Sequence, residues 1–499
     1  MRKKKLAKNT ISSLIYQITT IICGFVLPRF MLNYFGSEVN GMVSSITQFL
    51  QIIAFLDLGV GAVVQSALYK PLAEKNNEQI SSIMKSAEKF FKRLAMILLV
   101  YVLILMGVYP FISNQNYGFV FTATLIAAMS ISSFAQYYFG VVNRLLLLAD
   151  QRGYVQYNIQ TVTLILNTIA CSIFIVCGVS IQIVKLTTSL IYLLRPLGFK
   201  IYVDRHYQID HNITYKGEPI KQKWNGVAQH VSAVVLDGTD SIVLTMFATL
   251  SDVSIYSVYH LVVYGVKQLF VSLTSGIQSL MGELWAKQEN EELRDFFAWV
   301  EWLIHTGVVF VFGCTGVLIV PFVSVYTKGI VDAQYIQPLF GAILVAANAV
   351  HCLRLPYNLM ILSGGHYKQT QNNYIAAAII NIVISVIFVR REGLIGVAIG
   401  TLVAMLYQTV WMAYYDSQNL IKWPFRYFVK QMLVDAGTVA LIALGTTTID
   451  MNVSNYFEWF ACAVEVAAYS LIVVAIVNFV FYKDKEKKIC KTIKAKIIK

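Results

Sequence analysis

The sequence predicts an all-α polytopic membrane protein, and three observations carry that expectation. Of its 499 residues, 57% are hydrophobic and 13% charged, where a soluble domain carries roughly a quarter charged residues. Apolar runs of about 20 residues recur along the whole chain, each long enough to cross a bilayer as a helix, and mean hydropathy is +0.62. Lys and Arg collect in alternate connections between those runs, as orientation in a membrane requires. The runs are continuous rather than alternating, which argues against barrel strands.

In chain order, about fourteen transmembrane helices are expected, near 11–32, 42–69, 91–112, 118–142, 155–177, 180–201, 226–249, 253–281, 297–320, 335–362, 370–389, 394–415, 430–449 and 457–482. The start MRKKKLAK resembles the basic part of a signal peptide. The apolar stretch after it is too long, contains Pro28-Arg29 and lacks a small-residue cleavage site, so it reads as a retained first helix. Connections around Lys70–Arg93, Arg144–Arg152, Arg195–Lys223, Lys287–Arg294, Lys368 and Lys422–Lys430 are basic, as is the tail from Lys483. The turns at Asn33–Asn40, Ser113–Tyr117, Gly178–Ser180, Leu250–Asp252 and Asp450–Tyr456 hold no Lys or Arg. This alternation puts both termini of a multi-pass protein in the cytoplasm. Lys328 and Arg390-Arg391 are exceptions. A net charge of +13 is explained by these connections, so nucleic acid is not an expected partner. The cysteines show no pairing or metal spacing and are expected to pack in the core.

The chain repeats itself with a shift of about 214 residues. Ser37-Glu38-Val39 aligns with Ser251-Asp252-Val253, Asn76 with Asn290, and Asn167 with Asn381. Each half holds about six helices, and an even number relates the halves by a pseudo-two-fold axis along the membrane normal. The expected organisation is an amino-terminal lobe at 1–202, a cytoplasmic linker at 203–225, a carboxy-terminal lobe at 226–415, two additional helices within 416–482, and a basic tail at 483–499. The soluble insertions are too small for a catalytic domain. No Walker, H-E-x-x-H, Cys-x-x-Cys or Gly-x-Ser-x-Gly pattern occurs. Neither an enzyme nor a cofactor nor a metal site is expected.

Ionisable side chains inside apolar spans cost on the order of 3 kcal/mol each at the bilayer centre and call for a reason. Arg29, Asp57 and Lys185 are such residues in the first half. Asp237, Asp240, Lys267, Glu301, His305, His351 and Arg354 are those of the second, with Glu465 in the last helix. Tyr256, His260, Tyr264 and Lys267 follow helical spacing and form one polar stripe, which must face protein or water. Lys267 is deep enough to line a cavity, the other reading being an internal ion pair with Asp237 or Asp240. Arg29 and Arg354 each read either as snorkelling to headgroups or as binding a ligand. Lys185 sits near a helix end, as an anchor would. Glu301 and His305 are spaced as a self-satisfying pair. Asp57 reads as either a structural salt bridge or a coupling group. Together Arg29, Lys267 and Arg354, with His260 and Tyr264 beside them and Asp57, Asp237 and Asp240 near, describe a cationic lumen. Arg and Lys offer charge-assisted hydrogen bonds to phosphate oxygens, so the lumen suits an acidic substrate.

The stretch Leu27–Lys70 also carries a resemblance. Phe35-Gly36, Asn40-Gly41, Leu56-Asp57-Leu58-Gly59 and the run Leu68–Ala73, with Asn9-Thr10 and Pro28-Arg29 before them, resemble the first two helices of bacterial polysaccharide flippases. Those belong to the multidrug/oligosaccharidyl-lipid/polysaccharide exporter superfamily. The resemblance implies two six-helix lobes around a central cavity, working by alternating access on an undecaprenyl-diphosphate-linked oligosaccharide. It implies Arg29 and Lys267 as holders of the diphosphate, the helices at 430–449 and 457–482 as a groove for the lipid tail, and membrane lipids and a polysaccharide polymerase as partners. Relatives acting on peptidoglycan precursor carry clustered basic residues on the first helix, here reduced to Arg29. A multidrug or cation antiporter of the same superfamily is the alternative within transporters, and a membrane-embedded polysaccharide polymerase the alternative from another class.

Overall fold

The computed structural model describes residues 2–52, 54–113, 117–210, 213, 238–422 and 424–483, without side chains at 2–7, 54–59, 62, 275–276 and 279. The side chain of Asp57, all of Asp237, most of the expected linker and nearly all of the basic tail therefore lie outside the described residues. No strand occurs among those described, and ten helices are long and apolar enough to cross a membrane. The chain is a multi-pass helical membrane protein that divides into two compact units, Met1–Ser254 and Ile255–Lys499.

The first unit begins with α1 (Arg2–Gln51) and α2 (Ala54–Glu74). The turn expected at 33–40 shrinks to one residue: the helical path breaks only at Gly36, with φ 79° and ψ 176°, a conformation glycine adopts without Cβ strain. Next come α3 (Asn77–Ile112), α4 (Phe119–Ala135), a π-helical turn (Gln136–Gly140), α5 (Val141–Ala149), α6 (Gly153–Val176), α7 (Ile181–Tyr192) and α8 (Leu194–His206). The third span starts earlier than hydropathy suggests because Asn76 caps it, its side chain accepting from the Gln79 amide at 3.0 Å. Here α1 packs along α6, α4 along α7 and α3 against α4. Outside the span ends, Tyr207 donates to Asp150 at 2.6 Å and Arg152 pairs with the same carboxylate at 2.7 Å. Burial, then the neighbouring carboxylate, push the Tyr207 hydroxyl well above its ordinary pKa.

A short helical stretch at 238–247 ends this unit, before α9 (Leu250–Ala286) begins. Thr245 donates to Ser45 at 2.7 Å, and Asn40 donates to Ser254 at 2.8 Å. Asn40 and Ser254 are 214 residues apart, the repeat distance read from the sequence. The contact is close because position 41 is glycine: a Cβ there would lie 1.7 Å from the Leu250 carbonyl oxygen. Gly41→Ala is therefore expected to force two backbones apart at a cost of about 1–3 kcal/mol. Thermal unfolding of the detergent-purified protein reads this loss, with Gly107→Ala, where no atom lies within 4 Å, as the control that should lose no stability.

The second unit continues from α9 with α10 (Asn290–Tyr326), α11 (Pro338–Leu353), α12 (Leu355–Ser363), α13 (Tyr367–Glu392), α14 (Leu394–Asn419), α15 (Phe425–Thr446) and α16 (Tyr456–Phe481). The core pairs α13 with α14 and α11 with α14, while α15 and α16 pack on α10. Val309 of α10 meets Ile442, Val473 and Val474, and Leu318 meets Cys462 and Val466. The outer faces are apolar: on α3, Leu103, Ile104 and Phe111 are exposed, and on α16, Leu471, Ile472 and Ile476. Such surface is soluble only in lipid.

The spans expected at 118–142 and 335–362 are interrupted at the same repeat position. In the first, the π turn ends at Gly140. In the second, the helix breaks at Arg354, one repeat distance further along the chain. Pro356 explains the second break, since it cannot donate to the preceding turn and sits where α12 starts afresh.

Candidate functional site

On α9 the polar stripe is a physical ladder. The Tyr256 and His260 rings stack at 5.4 Å and 18°, and His260 and Tyr264 at 5.5 Å and 28°. Lys267 Nζ lies 5.3 Å from the centroid of the Tyr264 ring. Helical spacing brings the four residues onto one face, and each aromatic plane supports the next. Lys267 at one end is 3% exposed and Tyr256 at the other 4%, while Tyr264 between them is 44% exposed, so the ladder is buried at both ends and accessible at Tyr264. The ammonium over the ring is held partly by the aromatic quadrupole.

Arg354 is 6% exposed and lies at the break between α11 and α12, one of its terminal amino groups 3.2 Å from His351 Nδ1. Burial removes simple snorkelling as its account. Glu301 and His305, in contrast, do not satisfy one another. Glu301 accepts from the Tyr357 hydroxyl at 2.6 Å, and His305 Nδ1 lies 2.6 Å from Asp435 Oδ2. The self-pairing expected from their spacing gives way to partners on α12 and α15, because those helices close over this face of α10. Gln431 donates to the other Asp435 oxygen at 3.1 Å. Trp302 donates to Asn478 of α16 at 2.6 Å, so polar bonds as well as apolar packing fasten the last two helices to α10.

In the first unit, Arg29 is part-buried on α1 beside Pro28, and Asp240 is 3% exposed within 238–247. The structure thus brings His260, Tyr264 and Lys267 together, sets Arg354 against His351, and places Arg29 and Asp240 in the other unit.

Between α15 and α16 runs a groove of about 720 Å³. Its walls are apolar, from Leu433, Val434, Gly437 and Leu441 on one side and Val477 and Phe481 on the other. Arg426 and Lys430 line one end, a turn apart. From Arg426 to Leu441 the helix rises roughly 22 Å. A charged end and a long apolar wall suit an amphiphile lying lengthwise.

Sequence reasoning missed Asp435, Asp416, Tyr357, Arg426 and Lys430. Arg426 and Lys430 read as a basic connection, and their position as the first two residues of a stripe through Leu433, Gly437 and Leu441 was the signal that separates a groove end from a loop. Gln431 and Asp435, four apart, mark a second polar face on the same helix.

The fold is that of a polytopic helical membrane protein. Solved structures place it more closely. A lipid II flippase, MurJ, in an inward closed conformation superposes with a TM-score of 0.72 at 14% identity, over 95% of this chain and 99% of that one. An inward-facing multidrug resistance MATE family transporter of the MOP superfamily gives 0.64 at 14% identity, over 82% and 98%. A MOP superfamily transporter from Pyrococcus furiosus, described as having a binding pocket of reverse polarity, gives 0.59 at 13% identity, over 83% and 96%. No protein-family profile and no curated protein matches the sequence. The chain has the fold shared by these flippases and exporters, which are transporters rather than enzymes.

Proposed function

We propose that this chain is a flippase that moves undecaprenyl-diphosphate-linked oligosaccharide across the bacterial cytoplasmic membrane by alternating access, for surface polysaccharide synthesis. The observation that carries the reading is the groove of α15 and α16. An apolar trough ending in two cations matches a polyprenyl chain that ends in a diphosphate, and matches no organic cation. In this reading Lys267, Arg29 and Arg354 receive the diphosphate during passage, His260 and Tyr264 meet sugar hydroxyls, and Asp57, Asp237 and Asp240 serve as coupling or cavity carboxylates. Both termini are cytoplasmic. A polysaccharide polymerase is the partner that would consume the product.

The test is binding of a defined polyprenyl-diphosphate oligosaccharide to purified protein, with glycan export in a deletion strain beside it. Lys267→Ala is expected to weaken binding roughly tenfold or more, since a hydrogen bond to a charged group is worth about 1.5–3 kcal/mol. Membrane insertion should stay normal. Full export by this variant ends the assignment of Lys267, and normal export in a deletion strain lacking other flippases ends the function.

One observation favours a second reading, cation-coupled exchange. Asp416 of α14 is 2% exposed, and among the described residues neither of its carboxylate oxygens has a hydrogen-bond partner. Such a group holds a proton or a cation. Efflux of a cationic dye from energised cells separates the readings, because the flippase should not perform it.

A further inference from the structure

We propose that the first unit contains an oxyanion site of its own, built for a phosphoryl group, in the cavity between α1, α4, α5, α7 and α8. The cavity measures about 400 Å³, equivalent to roughly thirteen waters of liquid volume. Arg144, Lys185 and Arg195 all line it, and none of the described residues lining it is acidic. Ser133, Gln136 and Thr188 add neutral polar groups to the wall. Lys185 and Arg195 share this small space in a medium of low dielectric, and an entering anion is attracted to both.

The cations are positioned, not merely present. Arg195 Nε donates to Thr163 Oγ1 at 2.8 Å, and its guanidinium lies 3.7 Å from the centroid of the Tyr192 ring. Those two contacts fix its plane while leaving its terminal amino groups outside that bond, in the fork geometry that phosphate oxygens match. Lys185, which the sequence suggested as a headgroup anchor, instead lines this cavity, and no carboxylate of the described residues pairs with it. The floor is the π turn Gln136–Gly140, with Gln136 and Tyr137 on the cavity wall. A π turn widens a helix locally and is frequent at functional sites. That is a second observation independent of the charges. The groups lie wholly within one unit, and the site stands whether or not the flippase reading does.

The ligand chemistry is shared by a lipid-borne diphosphate and a free phosphate or diphosphate. The experiment titrates full-length protein in nanodiscs with inorganic diphosphate by calorimetry at low salt, and repeats the titration with farnesyl diphosphate. Wild type should bind inorganic diphosphate with an affinity that falls as salt rises. Lys185→Met should weaken binding at least tenfold, Lys185→Arg should restore it, and Lys368→Met, an exposed lysine elsewhere, should leave it unchanged. If farnesyl diphosphate binds more tightly with the same dependence on residue 185, the site serves a lipid headgroup. Equal affinities assign it to the free anion. Both outcomes sustain the site. Equal affinity in wild type and Lys185→Met, or no inorganic diphosphate binding by a thermally intact wild type, overturns it. A chain that fails to bind lipid-linked oligosaccharide yet keeps this Lys185 dependence loses the flippase reading alone.

Discussion

Asp435→Ala is expected to lower stability by about 3–5 kcal/mol, the cost of leaving one partner of a buried charged pair alone. His305 is fully buried and its Nδ1 lies 2.6 Å from Asp435 Oδ2, while Asp435 also accepts from Gln431. Removing the carboxylate strands the imidazole and the amide inside a closed helix interface. The bond joins α10 to α15, so the loss should appear as loosening of the last two helices, read by protease cleavage near Lys422 as well as by a lower melting temperature. The double substitution His305→Leu with Asp435→Leu removes both polar partners together and should recover most of the loss. If Asp435→Ala melts like wild type, the contact is incidental. If the double variant is as unstable as the single, packing volume and not polarity holds the helices.

The spans were legible in the sequence because hydropathy and basic connections are properties of single segments. So were the stripe of Tyr256, His260, Tyr264 and Lys267 and the pair His351 and Arg354, whose members share one helix or one turn. Partnerships between helices were not. Glu301 faces Tyr357 and His305 faces Asp435 across 56 and 130 residues, and no periodicity within α10 reports which helix will cover it. The turn at Gly36 was read too long for a related reason: polar residues there suggested a loop, whereas Ser37 and Asn40 are buried against the first unit. Lys185 illustrates the same limit. Its depth near a helix end fits an anchor, and only the packing of α7 against α4 turns it toward a cavity.

Removing both cations from the groove end is expected to have the larger functional effect. Arg426→Ala with Lys430→Ala deletes two charge-assisted donors; at about 1.5–3 kcal/mol each, discounted for solvent screening at the open end, roughly 2–3 kcal/mol or 30–150-fold in affinity for a polyprenyl diphosphate should be lost. Lys430 Nζ lies 5.6 Å from the Tyr482 ring and Arg426 packs over Tyr427, so neither supports the helix core and folding should be spared. The apolar wall is tested separately. Gly437 lines the groove and has no atom within 4 Å of where a Cβ would be, so Gly437→Leu obstructs the trough without clashing inside the protein. It should weaken binding of undecaprenyl diphosphate while leaving dimethylallyl diphosphate nearly unaffected, because residue 437 lies roughly 10 Å along the helix from Lys430, beyond the reach of a single isoprene unit. Loss of both ligands alike would mean that the substitution disturbs the charged end, and loss of neither would mean that the tail lies elsewhere. The two substitutions thus separate recognition of the headgroup from accommodation of the lipid, which a soluble phosphate compound or a compact organic cation would never distinguish.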